Sequence, residues 1–142
     1  MSVLKSKRKS TILVAIDGSE YSEKAFQYAC KLSISTQMPL LITNVVEEYA
    51  TIGKSMLREL KSLSKELVDK HKTKAESLGV RAVSTIQSVG NPAEEILETT
   101  NTKRIGTLVL GSRGKYGTSK DTLGGTAYKL IHYCQCTVIV VK

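Results

Sequence analysis

The sequence has no tryptophan, one phenylalanine and six tyrosines, so aromatics amount to 5% of its residues. With so few flat side chains, no stacking platform for single-stranded nucleic acid is visible. No apolar run approaches the roughly 20 residues that cross a bilayer, and the opening stretch MSVLKSKRKS has no apolar segment of the kind that marks a signal peptide. A cytoplasmic protein with no membrane partner is expected. Cysteine is sparse and odd in number: Cys30, Cys134 and Cys136 do not make a disulfide framework. Cys134 and Cys136 could serve a metal only with further ligands that the sequence does not place, so all three are expected as reduced thiols packed like small hydrophobes. Two phosphate signatures are missing as well. There is no G-x-x-x-x-G-K-[ST], and no G-x-G-x-x-G after the first strand-like run, which argues against a P-loop NTPase or a dinucleotide dehydrogenase.

What is present fits one globular domain. The 142 residues are 41% hydrophobic and 24% charged, and a chain of this length buries about 70% of the surface it exposes when unfolded. The formal charge is +8. Lys5, Lys7, Arg8 and Lys9 supply four of the basic groups and make residues 1–9 a basic N-terminal tail ahead of a domain spanning residues 10–142. A solvated tail is the expectation, and nucleic acid is not expected as a partner.

Residues 11–16, TILVAI, form a continuous run suited to a strand buried on both faces. Asp17, Gly18 and Ser19 end it; Ser19 is a good N-cap, and Ala25, Phe26, Ala29 and Leu32 recur at helical spacing to about Ser35. Residues 40–46 read as a second buried strand. A long amphipathic helix is expected over residues 55–78, with Met56, Leu60, Leu63, Leu67, Ala75 and Leu78 on its inner stripe, His71 beside them as a boundary or core residue, and Gly79 as its terminator. Residues 81–89 alternate less cleanly and suit a sheet edge. Asn91 as N-cap, Pro92 at the first helical position and Glu94 in the place of a capping box then begin another helix with Ala93, Ile96 and Leu97 inward. A short strand over 107–110, a helix over 124–133 and a strand at Thr137–Val141 complete five strand–helix alternations.

Such alternation predicts an α/β fold, a single-domain doubly wound parallel sheet with helices on both faces. For five strands the common order is 2-1-3-4-5 or a variant of it, and the ligand crevice opens where the order reverses, outside the carboxyl ends of the strands. The loops that converge there begin at Asp17, after Val45 and at Gly111. Gly111, Gly114 and Gly117 recur every third residue, and Gly124 and Gly125 open the last helix. Backbone amides in such a turn, joined to a helix N-terminus, cradle phosphate, and Arg113 and Lys115 add positive charge.

Three separated segments carry a resemblance that covers almost the whole chain: ILVAIDGSEYSEKA over residues 12–25, GNPAEEIL over 90–97, and LVLGSRGKYG over 108–117 followed by LGGTAYKLIHYCQCTVIVV. In this order they resemble the universal stress protein family, and in particular its ATP-binding branch. The resemblance implies a five-stranded parallel sheet of order 3-2-1-4-5, adenine nucleotide alpha-hydrolase-like, and a homodimer formed through Thr137–Val141. It further implies ATP, or AMP or ADP, as ligand, with Mg or Mn bound through the phosphates. Gly111, Gly114 and Gly124 fall on the glycines of the family pattern G-x-x-G-x9-G-[ST]. Carried over by residue, Ala15, Asp17 and Val45 would hold adenine and ribose, Gly111, Ser112, Arg113, Gly114 and Lys115 would wrap the phosphates, and Gly124, Gly125 and Thr126 would close the helix end.

One position departs from the pattern. Gly125 stands where a hydroxyl residue is expected, and Thr126 follows one place later, about 100° further round a helix. A lost hydroxyl bond to a charged phosphate costs on the order of 1.5–3 kcal/mol. The expected function is a regulatory or sensing module of the stress response that binds adenine nucleotide, with at most slow ATP hydrolysis, since His132 lies beyond the cradle and Ser112 has no adjacent base in the motif. The alternative is a nucleotide-independent dimeric interaction protein of the same fold.

Overall fold

Thr11–Ala15 forms strand β1, and its residues separate by parity: Ile12 and Val14 join the core on one face and Leu13 the core on the other, all without exposed surface. A leucine and β-branched run without polar alternation requires that two-sided cover. The structure, a computed structural model, describes residues 10–49, 51–114 and 123–142; the basic tail, Lys115 and Gly117 lie outside the described residues.

The remaining elements are α1 (Glu20–Thr36), β2 (Leu40–Glu47), α2 (Lys54–Ser77), β3 (Val83–Gly90), α3 (Pro92–Thr102), β4 (Ile105–Gly111), α4 (Gly125–Tyr133) and β5 (Thr137–Val141). Every strand pairing is parallel, in the order β3-β2-β1-β4-β5. This is the order that the family resemblance implies. It replaces the commoner 2-1-3-4-5, which would set the third strand at the centre. Ser84, Thr85, Gln87 and Ser88 make β3 unfit for a place buried on both sides, whereas β1 and β4, with Leu108, Val109 and Leu110 buried, fit the middle.

The helices divide between the two faces. Phe26 and Ala29 of α1 and Val68 and Ala75 of α2 pack with Ile12, Val14 and Ile42 on one side. Ile96 of α3 and Ala127 and Leu130 of α4 pack with Leu13, Leu41 and Leu108 on the other. Local signals start the helices as expected: Ser19 Oγ accepts the Ser22 N–H at 3.1 Å, and Asn91 Oδ1 accepts the Glu94 N–H at 3.1 Å.

The stripe of α2 differs from its expected position. Its buried residues are Ser64, Val68, His71 and Ala75, whereas Met56, Leu63 and Leu78 are about half exposed, at 51%, 53% and 50%. Spacing alone fixes a helical face, but the stripe rotated by one residue serves equally well until the sheet is in place. At the end of α2, Gly79 has φ +106°, its N–H donates to Glu76 O and the Val80 N–H donates to Ala75 O, both at 3.1 Å, which closes the helix with a left-handed glycine.

Glu23 of α1 ties these two helices together. Its carboxylate lies 2.8 Å from His71 Nε2 and 2.5 Å from Lys74 Nζ, while His71 Nδ1 donates to Leu67 O at 2.8 Å. His71 is buried edge-on to the Phe26 ring, with centroids 4.7 Å apart, and so is the core residue its stripe suggests. Burial by itself would raise the Glu23 carboxyl; the bonds from Lys74 and His71 and their charges prevail, and its pKa lies below the usual 4.5.

Candidate functional site

The chain leaves β1 and β4, neighbours at the centre of the sheet, toward opposite faces: β1 runs on to α1 on one side and β4 to α4 on the other. A crevice must open between the two departing segments. It does so as a cleft of about 580 Å³, inside the range of small-molecule sites.

Its floor is set by the turn after β1. Gly18 takes φ +85°, and the Ser19 N–H donates to Asp17 Oδ1 at 2.9 Å. The Asp17 N–H donates to Ser22 Oγ at 3.2 Å, so the side chain is held on a short polar loop at the mouth of β1. Asn44 Nδ2 donates to Ile16 O at 2.7 Å and fixes the neighbouring end of β2 against the same turn.

The glycine turn after β4 closes the opposite side by close approach. A Cβ on Gly111 would sit 2.8 Å from the carbonyl carbon and Cβ of Tyr21, a separation that packed atoms do not tolerate. A Cβ on Gly124 would lie 3.3 Å from Arg113 Cα and Ser112 O, and the Gly124 N–H donates to Ser112 O at 2.8 Å. Gly114 brings its backbone beside Asp17, where an added Cβ would be 3.1 Å from Oδ2. Arg113 Nη1 donates to Tyr21 Oη at 2.9 Å, with the guanidinium 5.2 Å from the centre of the Tyr21 ring. At the start of α4 the N-cap Gly124 makes no side-chain capping bond, and among the described residues, chain neighbours and the helix backbone aside, nothing lies within 4 Å of a Cβ added at Gly125. The first turn of α4 therefore directs amide dipoles to the cleft, with no side-chain cap from its N-cap residue.

Of the residues marked by the sequence, Ala15, Asp17, Val45, Gly111, Arg113, Gly114, Gly124, Gly125 and Thr126 line this one cleft. Ser112 does not line it. Its residue is 6% exposed, its N–H donates to Val141 O at 2.8 Å, its carbonyl accepts from Gly124, and its Oγ is buried without a partner among the described residues. Lys115 lies outside the described residues.

The far wall was not read from the sequence. Leu60, Leu63 and Leu67 of α2 face the cleft together with Tyr49, whose hydroxyl donates to the Glu47 carboxylate. Ser64 lines it too, its hydroxyl buried and without a partner among the described residues. The signal available was the apolar flank of α2, wider than the sheet below can cover. The cleft thus joins an apolar wall at the β2–α2 end to a backbone-lined, glycine-rich end under α4. Among the described residues no three His, Cys, Asp or Glu side chains are placed to hold a metal ion, and no helix is long and apolar enough to cross a membrane.

A doubly wound sheet with its cleft at the β1–β4 switch point defines a class of α/β ligand-binding folds. Comparison with known proteins places the chain within it. The family model for the universal stress protein family matches residues 9–142. Universal stress protein YxiE of Bacillus subtilis is 32% identical over 145 residues, covering 92% of this chain and 97% of its own. Universal stress protein UspA from Lactobacillus plantarum superimposes with a TM-score of 0.82 at 23% identity, covering 95% of this chain and 99% of its own. The chain belongs to the universal stress protein family, and its sheet has the adenine nucleotide alpha-hydrolase-like order. Among its structural neighbours, a universal stress protein family protein from Arabidopsis thaliana was solved with AMP bound (TM-score 0.72, 19% identity, 94% of this chain and 91% of its own). Others were solved in complex with cAMP (0.76, 18%, 94% and 97%) and, from Archaeoglobus fulgidus, with dAMP (0.71, 15%, 95% and 98%).

Proposed function

We propose that this protein binds an adenine nucleotide, ATP, ADP or AMP, in the cleft between β1 and β4 and serves as a regulatory or sensing module of the stress response. The observation that carries the reading is the pairing of Gly111, Gly114 and Gly124 around one backbone-lined pocket end with the apolar wall of Leu60, Leu63 and Leu67 at the other. The first suits phosphate and the second suits a base. The AMP, cAMP and dAMP complexes of neighbours with the same fold support it. Asp17, at the mouth of β1, is placed to accept from a ribose hydroxyl, and Arg113 to offset phosphate charge. A divalent ion, Mg or Mn, would be bound through phosphate oxygens. The protein acts as a binder, with hydrolysis at most slow, and its three unpaired cysteines fit a reducing, cytoplasmic setting.

The assembly proposed is a homodimer through β5. Val141 O accepts from the Ser112 N–H, so by the two-residue alternation of a strand Val138 and Val140 turn their N–H and C=O groups to the open edge of the sheet. A second copy of β5 would satisfy them.

Isothermal titration of ligand-stripped protein with ATP and with AMP, Mg²⁺ present, tests the nucleotide reading. Binding to the parent and none to Gly114→Val, whose side chain would meet Asp17, is the expected result. No heat from the parent refutes it. The open helix end at Gly125 favours a second reading, a nucleotide-independent interaction protein of the same fold, and that reading predicts no heat from either protein.

A further inference from the structure

Between α4 and β5 the chain holds Cys134 and Cys136 with their sulfurs 3.0 Å apart. Neither belongs to the cleft. Cys134 is the C-cap of α4, its N–H donating to Leu130 O at 2.9 Å, and Cys136 stands one residue before β5 begins. Both thiols are half-buried against the core of that face, so part of each remains open to small reagents.

The spacing discriminates between the two chemistries open to a thiol pair. Two thiolates on one tetrahedral zinc ion, each about 2.3 Å from the metal, stand about 3.8 Å apart. The sulfurs here are closer than that, and no third ligand joins them among the described residues. A disulfide needs about 2.05 Å, an approach of about 1 Å from where the sulfurs lie.

We propose that Cys134 and Cys136 are a redox-active dithiol, closed to an intramolecular disulfide by small disulfide oxidants. The thiolate of one cysteine of the pair attacks one sulfur of R–S–S–R, forming a mixed disulfide and releasing RS⁻, which takes up a proton. The other cysteine, giving up its proton, then attacks that protein sulfur, the mixed S–S bond breaks, and the second RS⁻ leaves and is protonated. The protein loses two protons and two electrons, and the oxidant becomes two R–SH. Burial, and next the neighbouring Cys134, push the Cys136 thiol up to about 12; the short sulfur–sulfur distance lets whichever thiol attacks first be resolved by the other. Cys30 stays apart from this chemistry: it is 1% exposed in the other core, its thiol pushed up to about 11 by burial.

The product ties the last turn of α4 to the root of β5 through a three-residue ring. In a reducing compartment such a bond is transient, which is the behaviour of a redox sensor rather than of a structural brace.

The test uses the full-length folded protein, with oxidised glutathione as the oxidant. After treatment, acid quench, unfolding and alkylation with N-ethylmaleimide, intact mass should show one adduct, at Cys30. The tryptic peptide LIHYCQCTVIVVK should be lighter by two hydrogens, and dithiothreitol before alkylation should restore three adducts. Closure should be at least about tenfold faster in the folded chain than in a urea-unfolded sample, because the fold holds the sulfurs in place. Cys134→Ser should give two adducts or a glutathione adduct, and no lighter peptide. Three adducts after oxidation, a persistent glutathione adduct on the parent, disulfide-linked dimers as the main product, or equal rates folded and unfolded would each overturn the assignment.

Discussion

Replacing Gly125 by serine should tighten nucleotide binding. Gly125 is the first residue of α4, its backbone is not in the left-handed region, and among the described residues, its chain neighbours and its own helix backbone aside, no heavy atom lies within 4 Å of the Cβ that a side chain would add. A serine there meets no clash among the described residues and adds a hydroxyl at the start of α4. A hydrogen bond to a charged phosphate is worth about 1.5–3 kcal/mol, and at 1.4 kcal/mol per decade the dissociation constant for ATP should fall by about 10- to 150-fold. Serine also favours a helix over glycine by a few tenths of a kcal/mol, about 0.5 at most, a gain that acts on stability whether or not ligand is present. Calorimetric titration of parent, Gly125→Ser and Gly125→Ala with ATP and with adenosine separates these effects. The expected result is a gain for serine alone and for ATP alone. Equal ATP affinity in parent and Gly125→Ser would refute the placement of phosphate against the start of α4, and an equal gain in the alanine variant would reduce the effect to helix stability.

Gly111→Ala should destabilise the fold by about 1–3 kcal/mol, because its methyl group meets Tyr21 backbone at 2.8 Å with nowhere to move; urea unfolding followed by circular dichroism measures it. Glu23→Gln should lower stability near neutral pH by about 1 kcal/mol, a figure kept small because a third of the Glu23 side chain is exposed. Since the carboxyl is depressed in the folded state, its contribution is complete above the usual 4.5 and fades as pH falls through the lower folded value. Parent and variant should therefore converge in stability as pH falls below 4.5 and through the depressed folded-state value, which thermal melts across an acid series will show. Val140→Pro removes an N–H directed to the open edge of β5 while leaving the ladder to β4 in place, and sedimentation velocity is expected to report monomer for the variant and, if the proposed dimer forms, dimer for the parent.

The parts of the fold that were legible are those where a residue's burial follows from its neighbours in sequence. β1 and β4 announce themselves as runs that only two covered faces can accommodate, and the polar residues of β3 mark a strand that belongs at the edge. The 3-2-1-4-5 order was carried by the resemblance, since strand patterns rank burial without fixing adjacency. Glycine positions identified the cleft, but the reason for two of them, Tyr21 and Arg113 backbone in close approach, lies in residues 90 and 11 places away. Ser112 was marked by its place in the pattern, yet its side chain turns inward because its amide and carbonyl are already committed to β5 and α4. The leucines of α2 read as core, and only the overhang of that helix past the sheet makes Leu60, Leu63 and Leu67 a wall. Nothing in the sequence joins Glu23 to His71 and Lys74, some fifty residues on.

Ser112 joins two parts of the molecule that would otherwise be separate. Its amide holds the end of the edge strand and its carbonyl holds the amide that begins α4, so one residue carries load from the border of the sheet to the rim of the cleft. In the proposed dimer a second copy paired along β5 would join the strand that Ser112 holds, and Ser112 also holds the amide at the start of α4 beside the cleft. If either event displaces it, the two equilibria are linked: the factor by which a bound nucleotide shifts the dimer constant must equal the factor by which dimerisation shifts nucleotide affinity.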